Sequence, residues 1–413
     1  MSGRRAGVLL GALTVAVPAV AAADAPPVAP AVPAASAASA APAAPVTPER
    51  WPLFDAYAAR FVSDDGRVID HTGGEVTTSE GQSYGLFFSL VAGDRARFER
   101  LLRWTESNLA QGSLAEHLPA TRWGKKPDGG WGILDPNSAA DSDLWIGYAL
   151  VEAGRLWRDD GFASVGRALL AQVVAREVVE LPALGPMLLP APYGFVPDEN
   201  TWRLNPSYLP LSLLAGLDDA GVAGPWRPLR ASTLRLLREG APHGFAADWI
   251  AYRRGAGFVP DPVTGSVGSY DAIRVYLWAS LLADGDPDQR RVNRWLDGMA
   301  RTFRRRSVVP ERVDCRRRDQ DGGAGPVGFL AVLLPRVAAG RDRALRRRLD
   351  GAIEALRDGD LYGHPVTYYD QNLMLFARGH TDGWYRFDVR GHVVPRWAAA
   401  AGASPPDVAT RER

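Results

Sequence analysis

The chain has 413 residues, 46% of them hydrophobic, which allows a large core, and its net charge of +1 gives no electrostatic case for a nucleic-acid partner. A single cysteine, Cys315, excludes an intrachain disulfide and any multi-cysteine metal site, and the six histidines are scattered without metal-ligand spacing. No phosphate loop, nucleophile elbow or metal cluster is present, so neither a cofactor nor a metal is expected.

Residues 1–23 read as a secretory signal peptide. A basic start, "MSGRR", precedes the apolar "AGVLLGALTVAVPAVAAA", which ends in small residues before Asp24. Pro18, the many small residues and the missing basic stop-transfer flank argue against an anchor. The expectation is an exported protein, periplasmic or secreted, with no membrane span in the mature chain. Residues 24–49, almost all Ala, Pro, Val and Ser, form a linker unable to bury a core. One domain is expected over 50–402, followed by a tail, 403–413. The arginine runs at 301–318 and 341–349 read as solvated helix faces and loops rather than a polyanion site.

Within the domain, apolar spacing predicts helices near 51–63, 80–92, 95–110, 141–158, 161–179, 207–218, 226–239, 270–283, 287–304, 326–338, 341–357 and 368–378. Strict alternation is scarce, which leaves room for a minor hairpin at 385–394. Every second helix is strongly apolar and carries an aromatic early on: Tyr84, Trp145, Tyr208, Tyr270, Phe329 and Tyr369. The steps are about 60 residues, the last nearer 40, with a polar amphipathic helix between each pair. Six inner helices inside six outer ones make an all-α toroid whose inner N-termini share one mouth. Glu80, Asp141, Asp143 and Asp271 would meet there.

Each acid also has an ordinary explanation. Ser79 and Gln82 have the spacing of a capping box, with Glu80 in the first turn where the helix dipole favours it. Asn137 or Ser138 could cap the helix of Asp141, and Ser269 that of Asp271. Against this, Gly81, Gly85, Ala139, Ala140 and Ser142 leave room for a ligand. Flat side chains crowd the same segments: Tyr84, Trp123, Trp131, Trp145, Trp202, Tyr208, Trp249, Tyr270 and Tyr369. Two carboxylates in an aromatic cleft are the equipment of glycoside hydrolysis. A helix N-terminus favours the ionised carboxylate, whereas a proton donor must keep its proton. Glu80 therefore needs burial or a negative neighbour, and Asp141 is the expected one.

The stretches "TSEGQSYG", "NLAQGSLAEHLPATRWGKK", "LDPNSAADSDLWIGYALVEAGRLW", "NPSYLP", "SYDAIRVYLW" and "GPVGF", in order from Trp51 to Trp397, resemble glycoside hydrolase family 8, and within it the subgroup found with bacterial cellulose synthases. The resemblance implies an (α/α)6 barrel and inverting hydrolysis of a β-1,4-glucan, cellulose or cello-oligosaccharides. By motif position Glu80 would be the proton donor and Asp271 the general base. Asp141 would be a third acid that distorts the sugar and tunes Glu80. Arg274, one turn after Asp271, would support the base. Tyr84, Trp123, Trp131, Asp143, Trp145, Tyr208, Tyr270 and Tyr369 complete the expected sugar contacts. A cellulose synthase complex is the expected protein partner. Ala140, Ser142 and Gly147 depart from the family pattern, each small for small. Other β-1,4-glycans (chitosan, xylan, mixed-linkage glucan) and a catalytically silent glycan-binding scaffold remain alternative readings.

Overall fold

The computed structural model describes residues 49–318 and 320–400; the expected signal peptide, nearly all of the linker and the C-terminal tail lie outside them. The outer helix Arg95–Leu109 shows why the pattern folds as it does. Asp94 accepts from Arg97 N at 2.9 Å to cap it, and Phe98, Leu101, Leu102, Thr105 and Leu109 line one buried stripe. Ser79–Ala92, by contrast, is buried all round except at Glu80 and Ala92. A helix apolar on every face has to run through the interior.

Six such inner elements are present: Ser79–Ala92, Ala140–Trp157, Leu211–Asp219, Ala272–Ser280, the pair Val327–Ala331 and Leu334–Ala339, and Tyr368–Thr381. Each packs on the next, and the last returns to the first. Pro52–Phe61, Arg95–Leu109, Asp160–Arg176, Trp226–Gly240, the pair Gln289–Trp295 and Gly298–Arg306, and Arg343–Glu354 alternate with them on the outside. The architecture is the (α/α)6 barrel. Three helices expected to be continuous are split, the one at 207–218 into the turn Pro206–Tyr208 and the helix Leu211–Asp219. Pro335, in the first turn of its segment, has no N–H to bond back to Ala331. Gly298 starts a new helix where a Cβ would lie 2.5 Å from the Gly244 carbonyl oxygen.

The barrel axis is filled rather than open. Trp145 and Trp278 lie 5.3 Å apart between ring centroids, and Phe376 sits 5.1 and 5.0 Å from them. Tyr84 meets Phe376 edge-on at 5.0 Å. These rings come from four inner helices and form the floor beneath the mouth.

Short strands are more numerous than the single expected hairpin. Thr77–Thr78, Arg122–Lys125 and Trp131–Asp135 form one antiparallel sheet, and Thr201–Leu204, Ile250–Arg253 and Gly257–Pro260 another. Both lie in segments leading from an outer helix to the N-terminus of an inner one, so they build the mouth. The expected hairpin pairs Tyr385–Phe387 with Val393–Pro395 at the opposite end.

That hairpin is latched by buried charge. His392 Nδ1 is 2.7 Å from Glu152 Oε1, its Nε2 is 2.9 Å from Asp219 Oδ2, and Arg155 pairs with Glu152 at 2.5 Å. Glu152 and Asp219 hold the His392 pKa above its usual value against the opposing effect of burial, which is the largest single influence. A raised histidine pKa stabilises the fold below the unfolded value and loses that contribution as pH rises through the folded one. His392→Gln should therefore lower the thermal midpoint more at pH 6 than at pH 9, as differential scanning fluorimetry across pH would record.

Candidate active site

Glu80 stands in the first turn of Ser79–Ala92, with 18% of its side chain exposed. The cap is Thr78, whose Oγ1 accepts from Gly81 N at 3.0 Å. Gln82 faces inward instead, accepting from Val68 N at 2.6 Å and donating to Thr105 Oγ1 at 2.9 Å, so the expected Ser79–Gln82 box does not form. Gly81 and Gly85 do not open an approach for a ligand. A Cβ on either would sit 3.2–3.3 Å from Val68, so both allow close packing.

Asp271 comes from the N-terminus of Ala272–Ser280, and 32% of its side chain is exposed at the bottom of the mouth. Ser269 does not cap this helix. Asp248 does, its Oδ1 accepting from Ser269 N at 2.7 Å and Ala272 N at 2.8 Å. Asp141 is buried on the first turn of Ala140–Trp157, where its Oδ1 accepts from Ser142 N at 2.8 Å. Neither Asn137 nor Ser138 caps that helix.

One buried guanidinium joins all three acids. Arg274 Nη1 contacts Glu80 Oε2 and lies 3.6 Å from Asp141 Oδ2, while Nη2 donates to Asp271 Oδ1 at 2.8 Å and Ser207 Oγ at 2.9 Å. The same nitrogen thus faces both Glu80 and Asp141, so the negative neighbour expected for Glu80 comes with a shared cation. Burial pushes Asp141 up to about 7, opposed by the hydrogen bonds from Ser142. Asp271 is also pushed up to about 7, first by the surrounding protein and then by the negative charges of Asp248 and Asp141. A base with that value loses activity as pH falls through neutrality. Asp248→Asn keeps an acceptor for both N–H groups but removes a charge, so the acidic limb of kcat/KM should move down by about one pH unit. A pH–rate profile checks this.

The other expected residues divide into two groups. Trp131 is 47% exposed and stacks on Trp123 at 5.2 Å, with the Arg67 guanidinium 4.7 and 4.9 Å from the two rings, on the hairpin paired to Thr77–Thr78. Tyr270 is 46% exposed, donates to Glu311 Oε1 at 2.8 Å, and its carbonyl accepts from Tyr369 OH at 2.5 Å. Tyr208 lies over the Arg274 guanidinium at 5.7 Å. These rings remain at the mouth. Tyr84 and Trp145 do not: both are fully buried in the floor, so they support the site without offering a face to a sugar. Asp143 is fully buried as well and is no sugar contact.

Sequence reasoning missed Tyr368, whose OH lies 3.4 Å from Glu80 Oε1 and 3.3 Å from Thr78 Oγ1. The doublet Tyr368-Tyr369 was visible, but neighbouring helical positions point about 100° apart, and only the helix phase selects one. Asp248 had no local signal, since its partners Ser269 and Ala272 lie 21 and 24 residues further on, beyond a strand hairpin.

Carboxyl groups bound to one buried cation, beneath a rim of exposed aromatic rings, make a site for acid–base chemistry on a polyhydroxylated chain. Comparison with known proteins gives that class a family. The sequence profile of "Glycosyl hydrolases family 8" matches residues 27–383. An endoglucanase of Escherichia coli O157:H7 is 42% identical over 348 residues, 84% of this chain and 91% of that protein. One from Xanthomonas axonopodis pv. citri is 43% identical over 355 residues, 86% and 91% of the two chains. The crystal structure of endo-1,4-D-glucanase from Vibrio fischeri ES114 superposes with a TM-score of 0.77 at 38% identity, covering 84% of this chain and 99% of that one. The chain belongs to glycoside hydrolase family 8.

Proposed function

We propose that the protein is an exported endo-β-1,4-glucanase that cleaves internal bonds of cellulose with inversion. The observation that supports this most is the shared guanidinium: Glu80 and Asp271 occupy different nitrogens of Arg274, one hydrogen bond from each. Protonated Glu80 donates to the glycosidic oxygen as the C1–O bond breaks. Asp271 takes a proton from a water that forms the new C1–O bond on the opposite face. A Glu80 that holds a proton gives up its ion pair, and Arg274 Nη1 then turns to Asp141, 3.6 Å away. Asp141 thus acts by exchanging the counter-cation rather than by attacking the sugar. Trp131 and Trp123 provide a stacking platform for a sugar beyond the scission point.

The names of the relatives, endoglucanases at about 42% identity, favour a glucan over xylan or chitosan. Product analysis on carboxymethylcellulose, mixed-linkage glucan, xylan and chitosan tests the choice. Short cello-oligosaccharides from the first polymer support it, and release from chitosan or xylan alone overturns it. Trimming of nascent cellulose beside the synthase belongs to the same proposal; normal cellulose output from cells lacking the enzyme would count against it. No helix among the described residues is long and apolar enough to cross a membrane.

A further inference from the structure

Behind Asp141 lie two more buried carboxyl groups, Asp143 and Glu177, and their hydrogen bonding does not close. Ser138 donates its only hydroxyl proton to Glu177 Oε1 at 2.5 Å. Both oxygens of Asp143 and the remaining Oε2 of Glu177 are buried without a donor. The two groups are within hydrogen-bonding reach of each other. A buried acceptor without a donor costs about 1–3 kcal/mol, and more when charged. Two like charges so close in a buried site cannot both persist. No ion pair within 4 Å involves either among the described residues, and the cation that acts on Glu177 is Arg176. A proton on the pair itself supplies a donor between the two groups.

We propose that Asp143 and Glu177 share one proton, forming a buried carboxylic acid–carboxylate pair that holds the first turn carrying Asp141 in place. The pair fastens the start of Ala140–Trp157 to the C-terminus of Asp160–Arg176, through Ser138 on one side and Glu177 on the other. The charged and titratable groups around it are Asp141 on the same helix, Arg176 at the end of the outer helix, and Tyr208 on the Pro206–Tyr208 turn. Arg176 is exposed, so its charge reaches the pair weakly. Both carboxyls are held above their usual values, first of all by burial, Glu177 at about 8. The two titrate as a unit, and the proton belongs to the pair rather than to either residue. Asp143 and Glu177 are positioning residues: loss of their proton places a second negative charge behind Asp141, which competes for Arg274.

The test is Glu177→Gln, whose amide donates to Asp143 and still accepts from Ser138 but brings no titratable proton. An acid protonated in the fold and ordinary when unfolded costs stability as pH rises from the usual carboxyl range toward about 8. The thermal midpoint of the variant minus that of the wild type should therefore climb by about 2 °C per pH unit between pH 5 and 8. Activity on carboxymethylcellulose at pH 6 should stay within about threefold of wild type, and the alkaline limb of kcat/KM should move to higher pH. An infrared difference spectrum should lose one protonated-carboxyl band. A difference in midpoint independent of pH, with the band retained, overturns the proposal. If that variant does not fold, Asp143→Asn supplies the same donor from the other side and is read the same way. The sharing of the proton does not depend on what glycan is cleaved, so its failure leaves the glucanase proposal standing and the reverse.

Discussion

Replacing Glu80 by Gln should lower kcat on carboxymethylcellulose by about a thousandfold, within the 10²–10⁴ that positioned general acid catalysis contributes. The amide occupies the same space beside Tyr368 and can still contact Arg274 through its oxygen, but it has no proton of the needed acidity. Cello-oligosaccharide affinity, which depends on the aromatic rim, should change by less than threefold, as isothermal titration would show. A substrate with an activated leaving group, such as a 2,4-dinitrophenyl cellobioside, needs little protonation and should recover most of the lost rate. If activity on the polymer is unchanged, Glu80 is not the donor and the mechanism is wrong at its centre.

Arg274→Met removes the cation that serves three acids at once. At an effective dielectric near 20, each contact at about 4 Å is worth roughly 4 kcal/mol before desolvation, and breaking a buried pair typically costs 3–5 kcal/mol. The first expected effect is a thermal midpoint lowered by several degrees. The second concerns the proposed base. Asp271 already stands near 7, and loss of its partner at 2.8 Å raises it further. The acidic limb of kcat/KM should move upward, and activity at pH 7 should fall at least about a hundredfold. Asp248→Asn moves the same limb the other way. Opposite shifts from two residues on either side of Asp271 identify it as the group that titrates; two shifts of one sign would point to another base.

The barrel was legible because its inner helices are apolar on every side and recur at a regular interval, so helix boundaries fell within a few residues for Ser79–Ala92, Arg95–Leu109 and Ala140–Trp157. Alternation over two to five residues carries too little pattern to reveal the mouth strands. Segments such as Thr77–Thr78 become strands only because a distant hairpin pairs with them. Sequence placed Glu80, Asp141 and Asp271 together, since residues at the starts of parallel helices must share one end. It could not say which aromatic early in a helix faces the mouth and which the floor. Tyr84 and Trp145 looked like sugar platforms, yet helix phase turns them into the core, while Trp131 on a hairpin stays exposed. Asp248, a cap supplied across a loop, and Glu177, the partner of Asp143, are contacts of tertiary structure alone.

The spacing of the two reacting carboxyls decides the outcome for the sugar. Inverting enzymes hold the two carboxyls about 6.5–9.5 Å apart to admit a water, whereas retaining enzymes hold them about 5–5.5 Å apart. Proton NMR of cellohexaose hydrolysis, recorded within the first minutes before mutarotation, tests this directly. Inversion releases new reducing ends first as the α-anomer, which converts slowly to the β. New ends that appear first as the β-anomer would mean retention, with a carboxylate attacking the sugar, and would contradict the assignment of Asp271 as a base that works through water.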